Sequence, residues 1–160
     1  MQVFLVDDSP EIRERLAQMF YRVKGVEIVG EADRATSAIA AILATKPDAV
    51  ILDIQLIGHE TGIDVLERIK QEKPSPKVIV LTNFPYPQYR KRCLQAGADF
   101  FFDKSIELDK LTDVLGALAK ESDADSNDGD GSNGLRDEKD FQPTTAVVYT
   151  TSLFRSRLSY

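Results

Sequence analysis

The chain has 160 residues, 42% apolar and 29% charged, which suits one globular domain with its own core. It contains no run of about 18 apolar residues, so no membrane-spanning segment is expected, and its first strand-like residues follow no basic leader of the secretory kind. The net charge of −6 is uneven: residues 1–120 hold 18 acids and 16 bases, residues 121–140 hold 8 acids and 2 bases, and residues 141–160 add two arginines. A nearly neutral main segment argues against a nucleic-acid surface. The single cysteine, Cys93, excludes an internal disulfide and fits a reducing, cytoplasmic location.

Gln2 to Val6 is an apolar strand that ends in Asp7-Asp8. Ser9-Pro10-Glu11 has the form of a helix start, with Ser9 or Asp8 as cap and Pro10 in the first turn. Ile12, Leu16, Met19, Phe20 and Val23 then recur at helical spacing, and Gly25 is a stop. Val26 to Gly30 alternates like a strand. Ala35 to Thr45 is a helix with Ala38, Ile39, Ile42 and Leu43 on one face. Ala49-Val50-Ile51-Leu52 is an unbroken apolar run, the pattern of a strand buried on both faces, and it ends in Asp53. A loop over residues 57–62 leads to a helix with Ile63, Leu66 and Ile69 inward. Val78 to Leu81 is a second buried run, ending in Thr82-Asn83. Phe84-Pro85-Tyr86-Pro87 makes a rigid turn, and the helix from Gln88 to Ala96 stops at Gly97. Phe100-Phe101-Phe102 is a third buried strand, ending at Asp103-Lys104. Leu108, Leu111, Leu115 and Leu118 mark a last helix to about Lys120.

Five rounds of strand then helix predict an α/β fold, a doubly wound parallel sheet of order 2-1-3-4-5 with helices on both faces, over residues 1–120. Residues 121–140 are rich in Asp, Ser, Gly and Asn and are expected to be a disordered acidic linker. Residues 141–160 regain some apolar content and are read as a short C-terminal segment of unknown role.

In that sheet order the first, third, fourth and fifth strands end on one rim, where their last residues are Asp7-Asp8, Asp53, Thr82 and Lys104. Three carboxylates beside a single lysine would repel one another. A divalent cation resolves this, and an all-oxygen set suits Mg²⁺, which takes octahedral geometry at about 2.0–2.1 Å. A carboxylate nucleophile, a metal, an ammonium group and a hydroxyl are the parts needed for phosphoryl transfer onto an aspartate.

The text Phe4-Leu5-Val6-Asp7-Asp8-Ser9, Val50-Ile51-Leu52-Asp53, Val80-Leu81-Thr82, Ala96-Gly97-Ala98-Asp99 and Phe101-Phe102-Asp103-Lys104-Ser105 resembles the receiver (CheY-like) domain of two-component response regulators. The resemblance implies that Asp53 accepts a phosphoryl group from a sensor histidine kinase or a phosphotransfer protein. It also implies Mg²⁺ held by Asp8 directly, by Asp7 through water, by Asp53 and by the backbone carbonyl of Gln55. Thr82 would turn toward the phosphoryl group, Lys104 would bind one of its oxygens, and Phe101 would be the switch aromatic. The chain departs from the family pattern in a longer loop with Ile57 where Pro is common, in Asn83 after Thr82, and in Ser105 where Pro usually follows the lysine. A non-proline cis bond is costly, so a trans Lys104–Ser105 bond is expected. Gln55, Asn83 and Phe84 would stand at the mouth of the site.

The implied output is an unknown partner protein reached through the surface of the fourth helix, fifth strand and fifth helix, which includes Arg90-Lys91-Arg92. Nothing of 40 acidic, low-complexity residues fits a DNA-binding output, so a single-domain regulator, or a phosphate shuttle or sink, is expected rather than an enzyme. A Mg²⁺-dependent phosphohydrolase with an aspartyl-phosphate intermediate is the alternative, although Gln55 stands where such enzymes need a second Asp. A flavin or nucleotide binder is disfavoured because the acidic turn after the first strand lacks a glycine cradle. His59 is expected to be inert and Cys93 to belong to the core. Asp123 to Gly129 is rejected as a calcium loop because its Gly is late and Gly134 stands where Glu is required.

Overall fold

The computed structural model describes residues 1–124. The expectations for residues 125–140 and 141–160 lie outside the described residues. The elements run β1 (Gln2–Val6), α1 (Pro10–Tyr21), β2 (Glu27–Ala32), α2 (Ala35–Thr45), β3 (Ala49–Leu52), α3 (Gly62–Ile69), β4 (Lys77–Thr82), α4 (Pro87–Gln95), β5 (Phe100–Asp103) and α5 (Leu108–Ala124). All strand pairs are parallel, and the sheet order is β2-β1-β3-β4-β5. This is the expected doubly wound sheet.

Strand side chains alternate between two apolar layers. Phe4, Val6, Val50, Leu52, Val78, Val80 and Phe101 join α2, α3 and Cys93 on one face. Val3, Leu5, Ala49, Ile51, Ile79 and Leu81 join Leu16 and Phe20 of α1 and Leu111 and Leu115 of α5 on the other. The central strand β3 is buried along its whole length, which explains its unbroken apolar text. Gly30 lies against Phe4, where an added Cβ would meet the ring at 2.5 Å.

Several boundaries move for local reasons. Ser9 is the N-cap of α1, and its hydroxyl accepts from the Ile12 amide at 3.3 Å. Asp8 therefore does not cap. Helix α1 ends at Tyr21 because tighter bonds take over, from the Arg22 amide to Met19 and from the Val23 amide to Phe20. Val26 is buried yet precedes β2, since its amide bonds back to Val23. Helix α4 starts one residue early, with Tyr86 as N-cap and Pro87 in its first turn. Helix α5 continues to Ala124, so residues 121–124 extend a helix rather than open a linker. Among the described residues the one cis peptide is Lys73–Pro74, and Lys104–Ser105 is trans as expected.

At the rim opposite Asp53, Asp99 joins the starts of β4 and β5. Its Oδ2 accepts from Lys70 Nζ at 2.7 Å and from the Val78 amide at 2.8 Å, and its Oδ1 lies 3.2 Å from Lys77 Nζ. Burial alone would raise this carboxyl, but the bonds from Lys70 and the Val78 amide outweigh burial and hold it below its usual range. Its stabilising effect is present above the unfolded value, near pH ~3.9, and is lost as pH falls through the lower folded value. Asp99→Ala is expected to cost about 2 kcal/mol in urea unfolding at pH 7, because it orphans the Val78 amide and leaves the Lys70 ammonium its bond to the Pro76 carbonyl but no counter-charge. The gap to wild type should narrow on acidification.

Candidate functional site

Parallel pairing brings the reactive ends together. The Asp7 amide bonds to Ala32 at 3.0 Å, the Asp53 amide to Val6 at 2.8 Å, and the Lys104 amide to Thr82 at 3.0 Å. Each residue one step past its strand is thus fixed by the neighbouring strand, on one rim of the sheet. Among the described residues, the buried polar or charged residues are Asp7, Asp53, Thr82 and Lys104. All four come from the predicted set. Buried polar groups are costly unless paired, so this concentration in one place marks the site.

Lys104 Nζ lies 2.5 Å from Asp7 Oδ2 and 2.6 Å from Asp53 Oδ2. Burial pushes the Asp53 carboxyl up, and Asp7 adds to the rise, while Lys104 works against both. The outcome is a carboxyl above its usual range. Burial would lower the Lys104 ammonium, but Asp53 and Asp7 outweigh it and hold the group above its usual value. Lys104 is therefore a permanent cation between two acids.

Asp8 is exposed and, among the described residues, its carboxylate has no hydrogen-bond or ion-pair partner. Oxygens of Asp7, Asp8 and Asp53 nevertheless lie within 4.8 Å of one another. Three carboxylates, two of them buried, against one ammonium leave a formal charge of −2. A hard divalent cation with oxygen preference fits that donor set.

The second layer holds these groups still. The Asp53 Oδ1 accepts from the Gln55 amide at 3.3 Å, and the Asp7 Oδ1 from the Ser9 amide at 3.0 Å. Thr82 Oγ1 accepts from the Phe84 amide at 3.2 Å. Gln55 and Asn83 are exposed and Phe84 is half-buried. Ser105 makes an Asx-type turn on Asp103, whose Oδ1 accepts its amide at 2.8 Å. Phe101 is buried with the α2–α4 layer, its ring 4.7 Å from the Arg90 guanidinium carbon. Phe100 and Phe102 stack on each other on the opposite face, as alternation requires. His59 is exposed in its loop, and Cys93 is core, its thiol pushed up to about 11 by burial.

Two residues that bear on the site are not visible as such in the sequence. Gly62, the first residue of α3, donates to the Ile54 carbonyl at 2.8 Å. A Cβ there would stand 1.9 Å from the Asp53 carbonyl oxygen. Arg13 donates from Nη1 to the Asp7 carbonyl at 2.6 Å. A glycine before a helix and an arginine one turn into another were the available signals, and neither specifies these contacts.

Residues 3–116 match the family described as "Response regulator receiver domain". The chain belongs to that family. A Pseudomonas aeruginosa protein named "Putative transcriptional regulator" is 42% identical over 110 residues, which cover 69% of this chain and 52% of that protein. The "Sensory transduction protein LytT" of Enterococcus faecalis is 34% identical over 121 residues, 76% of this chain and 49% of LytT. The receiver chain thus spans about half the length of these curated relatives. A crystal structure of a two-component response regulator of the LuxR family from Aurantimonas sp. superposes with a TM-score of 0.69 at 28% identity, covering 75% of this chain and 85% of that one. Among the described residues no helix is long and apolar enough to cross a membrane.

Proposed function

We propose that this receiver takes a phosphoryl group onto Asp53 from the phosphohistidine of a sensor kinase or phosphotransfer protein. The observation that carries this reading is the bridge of Lys104 to both Asp7 and Asp53, with an Asp8 oxygen within 4.8 Å of oxygens of both acids. An Asp53 carboxylate oxygen attacks phosphorus, the new P–O bond forms as the P–N bond to the donor breaks, and the imidazole leaves with the bonding pair. Bound Mg²⁺ would neutralise charge on the transferring phosphoryl oxygens. Asp8 would hold it directly, Asp7 through water, with Asp53 and the Gln55 carbonyl completing the protein donors. Lys104 would pass from the carboxylate to a phosphoryl oxygen, and Thr82 would release the Phe84 amide to donate its hydroxyl. Phe101, beneath Arg90, would follow Thr82, since Val80 and Phe101 are register partners two residues and one strand away. The changed surface of α4, β5 and α5 would then meet an output partner, in the cytoplasm.

The family is a signalling domain, and the phosphohydrolase alternative is separated by substrate. With Mg²⁺ and a small acyl phosphate, one phosphoryl group per chain should be incorporated, and chelation should prevent it. With a phosphomonoester such as p-nitrophenyl phosphate no turnover is expected. Sustained hydrolysis of the monoester would contradict the receiver reading and favour the hydrolase.

A further inference from the structure

Asp8 is exposed and its carboxylate has no partner among the described residues, yet its backbone is held on both sides. On its N-terminal side, the Asp7 carbonyl accepts from Arg13 Nη1 at 2.6 Å. On its C-terminal side, the Ser9 amide donates to Asp7 Oδ1 at 3.0 Å. Peptide planarity means that fixing the Asp7 carbonyl also fixes the direction of the Asp8 amide. The two planes flanking Asp8 are therefore set, and its side chain leaves the backbone in one direction.

Arg13 is itself held. Its side chain is 14% exposed, and its Nε lies 3.3 Å from Glu31 Oε1 on β2, an ion pair without hydrogen-bond alignment. Glu31 is paired in register with Leu5 of β1. The guanidinium thus braces α1, the end of β1 and β2 at one point. An arginine kept largely from water for one carbonyl bond and one poorly aligned ion pair is an expensive way to hold a turn. Preorganising a charged ligand gives that arrangement a function, since groups behind metal ligands set their direction.

We infer that Arg13, clamped by Glu31, is a positioning residue that aims the Asp8 carboxylate at the cation site. This rests on reading Asp7, Asp8 and Asp53 as a magnesium site. The sign of the effect distinguishes it from simple electrostatics. Arg13 is a cation next to the Asp7 peptide, so by field alone its removal would tighten binding of Mg²⁺. By positioning, its removal loosens binding.

The test titrates MgCl₂ into isotope-labelled full-length chain and follows the amide shifts of residues 7–9 and 53–55 in wild type, Arg13→Gln, Glu31→Gln and Asp8→Asn. Arg13→Gln should weaken Mg²⁺ binding at least about tenfold, within the range for residues behind metal ligands. Glu31→Gln keeps the arginine but frees it, and should fall between. It also serves if Arg13→Gln does not fold. In the Asp8→Asn background, Arg13→Gln should change affinity less than twofold, because the ligand it aims is gone. Unchanged or tighter binding by Arg13→Gln, or an equal loss in both backgrounds, would overturn the inference. If wild type shows no saturable Mg²⁺ binding, the magnesium reading itself falls, and this inference with it.

Discussion

Replacing Lys104 with methionine is expected to destabilise the metal-free protein by about 3–5 kcal/mol at pH 7, the range for removing one partner of a buried ion pair. Methionine fills similar space, so the loss reports charge rather than volume. The ammonium group touches both Asp7 and Asp53, and all three side chains are nearly inaccessible. Without it two dehydrated carboxylates face each other, with Asp8 nearby. The sign with pH follows. Asp53 already sits above its usual range through burial, with Lys104 holding it down. Removing Lys104 raises it further, so the variant gains stability relative to wild type as pH falls and the carboxyl is protonated. Added Mg²⁺ should restore more stability to the variant than to wild type, because the site's negative charge is larger. Labelling by an acyl phosphate should nevertheless drop roughly 100-fold, the scale of losing one fixed cation from a phosphoryl site. Urea unfolding across pH, with and without Mg²⁺, checks the first part. A variant as stable as wild type at pH 7 without metal would contradict it.

Gly62→Ala should be the most damaging single methyl in the described chain. Its Cβ would meet the Asp53 carbonyl oxygen at 1.9 Å, the Asp53 carbonyl carbon at 2.8 Å and Ile54 Cα at 3.0 Å. All three are backbone atoms, so no side chain can swing aside. Either the chain after β3 or the start of α3 must move, which costs about 3 kcal/mol on the scale of overpacked cores. A displacement of the Asp53 peptide by 1 Å would also slow labelling by about 100-fold. Gly116→Ala in α5 is the matched control. Its Cβ would find only Val23 Cγ1, at 3.7 Å, and alanine is the better helix former by about 1 kcal/mol. Opposite shifts in melting temperature are expected, down for Gly62→Ala and up for Gly116→Ala. Equal stability and labelling of Gly62→Ala and wild type would contradict the close approach.

Much of this was legible from text, and the reasons are specific. A strand buried on both faces writes itself as Ala49-Val50-Ile51-Leu52, and the polar residue that ends it is exceptional, which is why Asp53 stood out. Thr82 and Lys104 were legible for the same reason, at the ends of other apolar runs. Edge strand β2 runs past the alternating residues 26–30 to Ala32, an end hidden in the text because its half-buried residues Gly30 and Glu31 carry no apolar pattern. The end of α5 lies beyond Lys120 and is hidden likewise, because Glu121, Ser122 and Asp123 are polar residues whose pattern carries no packing signal to extend a helix. The sequence allows either Ser9 or Asp8 to cap α1, and the hydroxyl geometry decides for Ser9, which frees Asp8 for other work. What the sequence could not convey is contact across distance: the double bridge of Lys104, the absence of space beside Gly62, and the reach of Arg13 to the Asp7 carbonyl. Each depends on how two elements meet, not on the pattern within either.

In the proposed reaction Asp53 is the group that takes the phosphoryl, with the other acids serving the cation. Intact mass after incubation with acetyl phosphate and Mg²⁺ tests it most directly, on wild type, Asp53→Asn, Asp7→Asn and Asp8→Asn. A gain of about 80 Da, one phosphoryl group, is expected in wild type, none in Asp53→Asn, and a slower but measurable gain in Asp7→Asn and Asp8→Asn. A full gain of about 80 Da in Asp53→Asn would place the acceptor elsewhere and contradict the account.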